Sequence, residues 1–452
     1  MVKSTRRNFL QASALTAAGL GAELYSVPAK ASPADKVSVA LIGAGGRGTM
    51  LMQGFCKRPD VHVEYICDPE DARAARTADI VSKAQGSMPK TVRDMRKVLD
   101  DKSVDAVIIA TPEHWHALGA IWGCQAGKDV YVEKNASLAI WEGRKMIEAS
   151  RKYKRHIQVG TQNRSGPYNL KAKEYIQSGK LGKVQLVKVF NLQGGGKWSA
   201  QPDSAPPAAF DWELWQGPAK HFPYNAGRHR GWGDYFDYAG GTLSGDGSHQ
   251  MDLARMVLGD PPIPKAVNCF AGRLMYDDHR EIPDIMEISF EFDGMVMTME
   301  NGTYTPYMDK IAQDVRDNDL FPNWPQCATR IEIYGSEGLM YLGRHGGGWQ
   351  VFGRSKTQSR PGELIAQEYG RFPDPWHQAD FIECIKTRKK PNADIETAHP
   401  SACLTHLANA SFRCGNKKLT FDSTAETFGG DTSANQYLKP HYPKGYVLPD
   451  RV

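Results

Sequence analysis

Val37-Ser-Val-Ala-Leu-Ile-Gly43-Ala-Gly45-Gly46-Arg47-Gly48 is the stretch on which the fold turns. An apolar run bounded by glycines reads as a strand buried on both faces, and this one feeds into Gly43-x-Gly45-x-x-Gly48. Glycines there let the chain turn sharply, let its backbone approach a pyrophosphate, and let the next helix pack closely on the strand. The helix N-terminus adds unpaired N–H groups and partial positive charge. Two features support a dinucleotide site: the strand before the turn, and Asp68, which closes Val63-Glu-Tyr-Ile-Cys-Asp68 and lies 20 residues beyond Gly48. A carboxylate there accepts hydrogen bonds from a free ribose 2′-hydroxyl and repels a 2′-phosphate, which favours NAD over NADP.

Before the strand, Thr5-Arg6-Arg7-Asn8-Phe9-Leu10-Gln11, a short apolar run and Ala29-Lys30-Ala31 resemble a twin-arginine (Tat) signal peptide. The run is too short to span a bilayer. Cleavage after Ala31 lowers the formal charge from +5 to +2, because Lys3, Arg6, Arg7 and Lys30 leave together with Glu23. Nothing in that balance calls for nucleic acid, and the mature chain has no membrane span. The expected destination is the periplasm or the exterior. The Tat route exports folded proteins, so NAD is expected to travel inside, tightly bound. Eight cysteines in 452 residues, none in a CxxC pair, read as structural thiols rather than a disulfide framework.

About 420 residues remain without the leader, which argues for two domains. Residues 32–162 are expected to form a Rossmann domain. After Asp68, strands at Asp105–Thr111, Asp129–Lys134 and His156–Thr161 alternate with amphipathic helices such as Thr91–Leu99 and Trp141–Lys152, the signature of a doubly wound parallel sheet. Residues 163–452 are expected to form an α+β substrate and oligomerisation domain with an open, mostly antiparallel sheet. Lys183–Phe190 alternates, and Ile285–Phe292 and Val296–Glu300 flank an Asp293-Gly294 hairpin turn. Further strands are expected at Lys265–Leu274, Arg330–Tyr334, Gly338–Leu342 and Trp349–Phe352, with helices at Trp376–Thr387 and His399–Cys414. The Pro-, Gly- and Trp-rich region from 194 to 240 is the longest irregular stretch, and such loops are usually functional.

The glycine turn, Thr111-Pro112 with His116, Ala126-Gly-Lys-Asp-Val-Tyr-Val-Glu133-Lys134, and Gly240-Gly241 followed by Gly247-x-His249-x-x-Asp252 together resemble the glucose–fructose oxidoreductase, inositol dehydrogenase and rhizopine-catabolism (Gfo/Idh/MocA) family, in its secreted bacterial branch. The likeness covers essentially the whole mature chain. It implies NAD(P)-linked chemistry on sugars or cyclitols and a homo-oligomer, dimer or tetramer. By resemblance Lys134 contacts the reacting hydroxyl; its charge favours the alkoxide that forms as hydride leaves. Glu133 orients Lys134 or the ribose, His116 lies near the nicotinamide, and His249 handles the proton, as a histidine can near neutral pH. Asp252 shares a helix face with His249. Two positions depart from the family: Asn135 stands where it has proline after the lysine, and Gly245 where many relatives have aspartate, with Asp246 one position late. Asp246 is therefore the alternative substrate-side carboxylate to Asp252.

Arg228, Trp232 and Tyr235, in an aromatic and charged run just upstream, suit a carbohydrate, whose C–H face stacks while its hydroxyls hydrogen-bond. They suit a packed loop or subunit contact equally. His114 and His116 lack further ligands at metal spacing, so no metal is expected. Three readings stand open: an exported NAD-dependent oxidoreductase acting at a hydroxyl-bearing carbon of a sugar, sugar derivative or cyclitol; a redox-neutral NAD-dependent glycosidase working through a transient 3-keto sugar; and a non-catalytic nucleotide-binding protein.

Overall fold

Apolar residues on both faces of a strand demand cover on both sides, and the first sheet of the computed structural model has it. The structure describes residues 36–304, 307–357, 362–448, 450 and 452; the twin-arginine leader lies outside them. Six parallel strands, β1 (Val37–Ile42), β2 (Val61–Cys67), β3 (Lys90–Val92), β4 (Ala106–Ile109), β5 (Asp129–Val132) and β6 (Ile157–Val159), lie in the order β3-β2-β1-β4-β5-β6. In this order the chain reverses direction between β1 and β4, which opens a crevice at the carboxyl ends of the strands. Helix α1 (Gly46–Phe55) follows β1 directly. Along β1, Val39 and Leu41 pack into one core while Ala40 and Ile42 pack into the other.

The stretch expected as one amphipathic helix, Thr91–Leu99, is divided. Lys90–Val92 is edge strand β3, and a short helix, Met95–Asp100, starts only after Asp94, whose side chain accepts from the Arg96 N–H. An N-cap aspartate halts a helix that apolar spacing alone would extend backwards.

The second sheet has nine strands: β7 (Val184–Leu192), β8 (Ala266–Gly272), β9 (Ile285–Phe292), β10 (Met295–Gly302), β11 (Arg330–Gly335), β12 (Gly338–Gly343), β13 (Trp349–Gly353), β14 (Leu364–Glu368) and β15 (Leu419–Thr420). Their order is β14-β13-β12-β11-β7-β10-β9-β8-β15, antiparallel except where β10 runs parallel to β7. This is the expected α/β class, with a Rossmann sheet plus an open, mostly antiparallel one. In β9, Met286, Ile288, Phe290 and Phe292 are buried while Glu287 and Glu291 are exposed, so one face is covered. The helices Ser248–Val257 and Ile395–Arg413 contribute to that cover.

Residues 37–452 form one compact unit. The late helices serve both sheets: Phe381 and Ile382 enter one core of the first sheet, and Ile395, Ala398 and Ala402 enter the other. All eight cysteines are free thiols, seven of them buried. Among the described residues no helix is long and apolar enough to cross a membrane, and no three His, Cys, Asp or Glu side chains gather to hold a metal.

Candidate functional site

The loops that leave β1, β2, β4 and β5 meet at one edge of the first sheet and enclose a cleft of about 340 Å³. Gly43 has φ +93°, and a Cβ there would sit 2.7 Å from the Ala110 carbonyl carbon. At Gly48 a Cβ would lie 2.0 Å from the Gly43 carbonyl oxygen, so this glycine serves the packing of α1 on its strand. Gly46 is different: beyond its chain neighbours and its own helix backbone, nothing lies within 4 Å of the place its Cβ would take. Together with an α1 N-terminus that lacks a side-chain cap and any acid in its first turn, this open backbone fits a pyrophosphate. Gly43, Gly45, Gly46, Arg47, Asp68, Thr111, Pro112, Glu133 and Lys134 line the cleft. The residues present fit a dinucleotide.

Asp68 is buried, and its carboxylate accepts from the Ala44 N–H at 2.7 Å and the Glu70 N–H at 2.9 Å. Burial raises its pKa against those two bonds. Arg73 also lines the cleft, tied to Glu70. Glu133 is oriented toward Arg47, not toward Lys134 as a side-chain partner. Arg47 Nε donates to Glu133 at 2.8 Å, and its remaining nitrogens donate to Asp374 at 2.6 and 3.1 Å. The pair stitches α1 to the end of β5.

His116 does not line the cleft. It is 1% exposed, with Nδ1 2.6 Å from the Asn135 carbonyl and Nε2 2.9 Å from that of Thr111. Burial lowers its pKa, so one ring N–H donates and the residue braces the loops of β4 and β5 rather than facing a nicotinamide. The Lys134–Asn135 peptide is cis.

Lys134 belongs to the cleft and to what lies beyond it, because its charge acts on His249, Asp246 and Glu113. His249, at the start of the helix Ser248–Val257, is buried, and its Nδ1 has no partner. Burial, then Arg344, Lys134 and Arg47, holds its pKa well below the usual histidine range, so the ring is neutral. Immediately before it, Leu243–Gly247 forms a π-helical turn. Such a turn takes up an extra residue and is frequent at functional sites; here it spans the register in which aspartate comes one position late. Asp246 accepts from Gln193 at 2.9 Å, from Arg344 at 2.7 Å and from Lys310. Burial opposes its ionisation, but Arg344 and Lys310 outweigh it and keep the carboxyl well below its ordinary range.

Arg344 and His345 were not legible as site residues. They sit between β12 and β13 in Gly343-Arg-His-Gly-Gly-Gly348, where His345 has φ +57° and the three glycines have φ +112°, +73° and +58°. The turn carries the His345 ring to 4.3 Å from that of His249. The His345 N–H donates to Asn163, and the neighbouring Gly346 N–H to the Tyr168 hydroxyl. Three glycines after Arg-His, between two strands, were the available signal. Glu113 was also missed. It accepts from the Ser244 hydroxyl at 2.6 Å and the Gly240 N–H at 3.2 Å, and burial pushes its carboxyl up to about 7, against that hydroxyl and Lys134.

Asp252, expected as a catalytic residue, and Arg228 and Tyr235, expected to bind substrate, have other work. Asp252 is fully buried; Arg164 grips it through Nε and Nη2 at 2.7–2.9 Å, and Ser401 donates to it at 2.7 Å. A carboxylate so occupied is a structural partner. The Arg228 guanidinium lies 4.1 Å from the centroids of both Phe222 and Tyr235, and Tyr235 is 2% exposed within an aromatic cluster with Trp212, Trp215 and Tyr238. Trp232, with Trp215 and His229, instead lines the dinucleotide cleft. The aromatic loop thus closes on the cofactor side.

Residues 37–161 match the oxidoreductase family GFO_IDH_MocA with its NAD-binding Rossmann fold; 209–341 and 355–447 match two C-terminal domains of the same family. The scyllo-inositol 2-dehydrogenase (NAD(+)) of Bacillus subtilis (strain 168) is 25% identical over 385 residues, 84% of this chain and 95% of that one. A glycosyl hydrolase family 109 protein of Stenotrophomonas maltophilia (strain K279a) is 40% identical over 146 residues, but the chain spans only 32% of that relative. Among solved structures, levoglucosan dehydrogenase in complex with NADH and L-sorbose superposes with a TM-score of 0.63 at 20% identity, covering 86% of this chain and all of the other. The chain belongs to the Gfo/Idh/MocA family of oxidoreductases and carries its NAD-binding Rossmann domain.

Proposed function

We propose that this protein is an exported, NAD-dependent oxidoreductase that moves a hydride between the cofactor and a hydroxyl-bearing carbon of a sugar, sugar derivative or cyclitol. One observation carries the reading: Lys134 lines the dinucleotide cleft and its charge reaches the neutral, unpartnered His249. The relatives with inositol and levoglucosan in their names agree with such a substrate.

Bound NAD supplies the hydride acceptor, or in reverse NADH the donor. Lys134 stabilises negative charge on the substrate oxygen as its carbon is oxidised. Neutral His249 takes the hydroxyl proton and returns it in the reverse direction. Asp68 favours NAD over NADP, since its carboxylate opposes a 2′-phosphate. Both Lys134 and His249 are present, which counts against a merely nucleotide-binding role.

The match to a family 109 glycosyl hydrolase favours a second reading, in which oxidation is transient, the glycosidic substituent is eliminated, and re-reduction restores the cofactor. Purified protein, checked by mass spectrometry for bound NAD, should be given a panel of free sugars, cyclitols and aryl glycosides. Accumulating NADH supports the first reading. Aglycone release without net NADH supports the second, and neither outcome with nucleotide retained sinks both. Replacing Arg6 and Arg7 by lysine should leave a folded, NAD-loaded precursor in the cytoplasm; periplasmic delivery of that variant would refute export by the twin-arginine route.

A further inference from the structure

Facing Lys134 and His249 is a wall built from the Gly343–Gly348 turn, the loop containing Lys310, and the short helix Gln313–Asp317. Its fixed charges do not balance. Lys310, Arg344 and Arg316 all act on the one carboxylate of Asp246, while Lys134 acts on Asp246 and also on Glu133 and Glu113. Arg47, the next cation, is already matched by Glu133 and Asp374.

Arg316 is the unmatched member. Its Cα lies 3.0 Å from where a Gly346 Cβ would be, which sets it against the turn that carries Arg344 and His345. Its Nε is buried without a hydrogen-bond partner, and among the described residues no carboxylate comes within ion-pair distance of its guanidinium. The nearby Asp317 is exposed and accepts from Gln313 at 2.9 Å. Burial lowers the Arg316 pKa against the attraction of Asp246 and Asp317. His345, in the same wall, also has a buried, unpartnered Nε2. A half-buried guanidinium whose Nε lacks a partner is complementary to a carboxylate, which a guanidinium can take bidentately.

Resting on the oxidoreductase reading above, we infer that the substrate is a carboxylate-bearing sugar of the uronate class. Its carboxylate pairs with Arg316 beside the Arg344-His345 turn, and the reacting hydroxyl faces Lys134 and His249.

The NAD-loaded protein should be titrated, by calorimetry and by turnover, with glucuronate, galacturonate and mannuronate, each beside its neutral parent sugar and the corresponding 6-phosphate. A charged hydrogen-bonded pair of this kind predicts that at least one uronate binds about 10- to 100-fold more tightly than its parent. Arg316→Met should bring that ratio close to one, and Arg316→Lys should keep part of it. Retained NAD and an unchanged Tm establish that each variant is folded. A neutral parent that binds as tightly as its uronate in every pair, a 6-phosphate that outbinds the uronate, or an undiminished ratio in Arg316→Met overturns the inference and leaves the oxidoreductase reading standing. Binding of none of these sugars by the NAD-loaded protein also overturns the inference, and the oxidoreductase reading is then decided by the wider panel of cyclitols and glycosides described above.

Discussion

Two glycine-rich turns, Gly43–Gly48 after β1 and Gly343–Gly348 after β12, end strands in different sheets and do opposite things with the same residue type. In the first, glycine removes side chains so that the main chain itself can meet a ligand; Gly46 opens onto empty space. In the second, three consecutive glycines with positive φ bend the chain so that two side chains, Arg344 and His345, are delivered to the site. Lys134 stands where the two halves meet. The first turn thus offers main chain to the dinucleotide cleft and the second offers side chains to the proposed substrate side, so each turn should be open to perturbation without the other.

The largest expected effect tests the meeting point. Lys134→Ala and His249→Ala should each lower kcat by about 10²–10⁴-fold with NAD retained. Groups that act as a unit are not additive, so the double variant should be little slower than the worse single one. Near-wild-type turnover by either single variant on a confirmed substrate removes that residue from the mechanism.

Glu113 joins the halves through Gly240 and Ser244, and its proton should be visible in stability. Its folded value of about 7 lies above the ordinary 4.5, so the folded state holds this proton more tightly than the unfolded chain does. That stabilisation is complete below about pH 4.5 and is lost as pH rises to about 7, a difference of about 3 kcal/mol. Glu113→Gln, which does not titrate, should therefore gain on wild type in thermal melts as pH rises from 5 to 8. A Tm difference that stays flat across that range contradicts the assignment.

The turns themselves make a mirror-image pair. Gly348→Ala forces a positive φ on alanine and drives its Cβ to 1.9 Å from the Glu368 carbonyl oxygen, so it should cost about 1–3 kcal/mol and raise KM for the sugar while leaving the NAD Kd alone. Gly46→Ala should leave Tm unchanged and weaken NAD. If Gly348→Ala weakens NAD as much as Gly46→Ala does, the division between the two halves is wrong. The smallest effect expected is at Asp68, where Asp68→Ala should narrow the NAD-over-NADP ratio of Kd values; an unaltered ratio means that another group, with Arg73 the first suspect, sets it.

What could be read from sequence follows the same division. The first sheet was legible because a strand buried on both faces, a glycine turn and an acid 20 residues on are local patterns with local causes. Lys134 and His249 came through family resemblance. Arg344, His345 and Arg316 were not legible, since they lie 182 to 211 residues from Lys134 in sequence and only the strand order of the second sheet brings them near. Asp252 and Tyr235 were misassigned for a related reason: polar and aromatic residues beside a motif look the same in sequence whether they face a ligand or, as with Arg164 and the aromatic cluster, each other. The parallel contact of β7 with β10 and the break at Asp94 left no periodic trace.

Trp115, Trp215 and Trp232, three of the ten tryptophans in the chain, line the dinucleotide cleft. Tryptophan emission overlaps the near-ultraviolet absorption of a reduced nicotinamide, so excited indoles this close should pass their energy to NADH and not to NAD. The NADH-loaded protein should therefore show a dimmer indole band, with sensitised nicotinamide emission, than the NAD-loaded protein, a difference read without label or coupling enzyme.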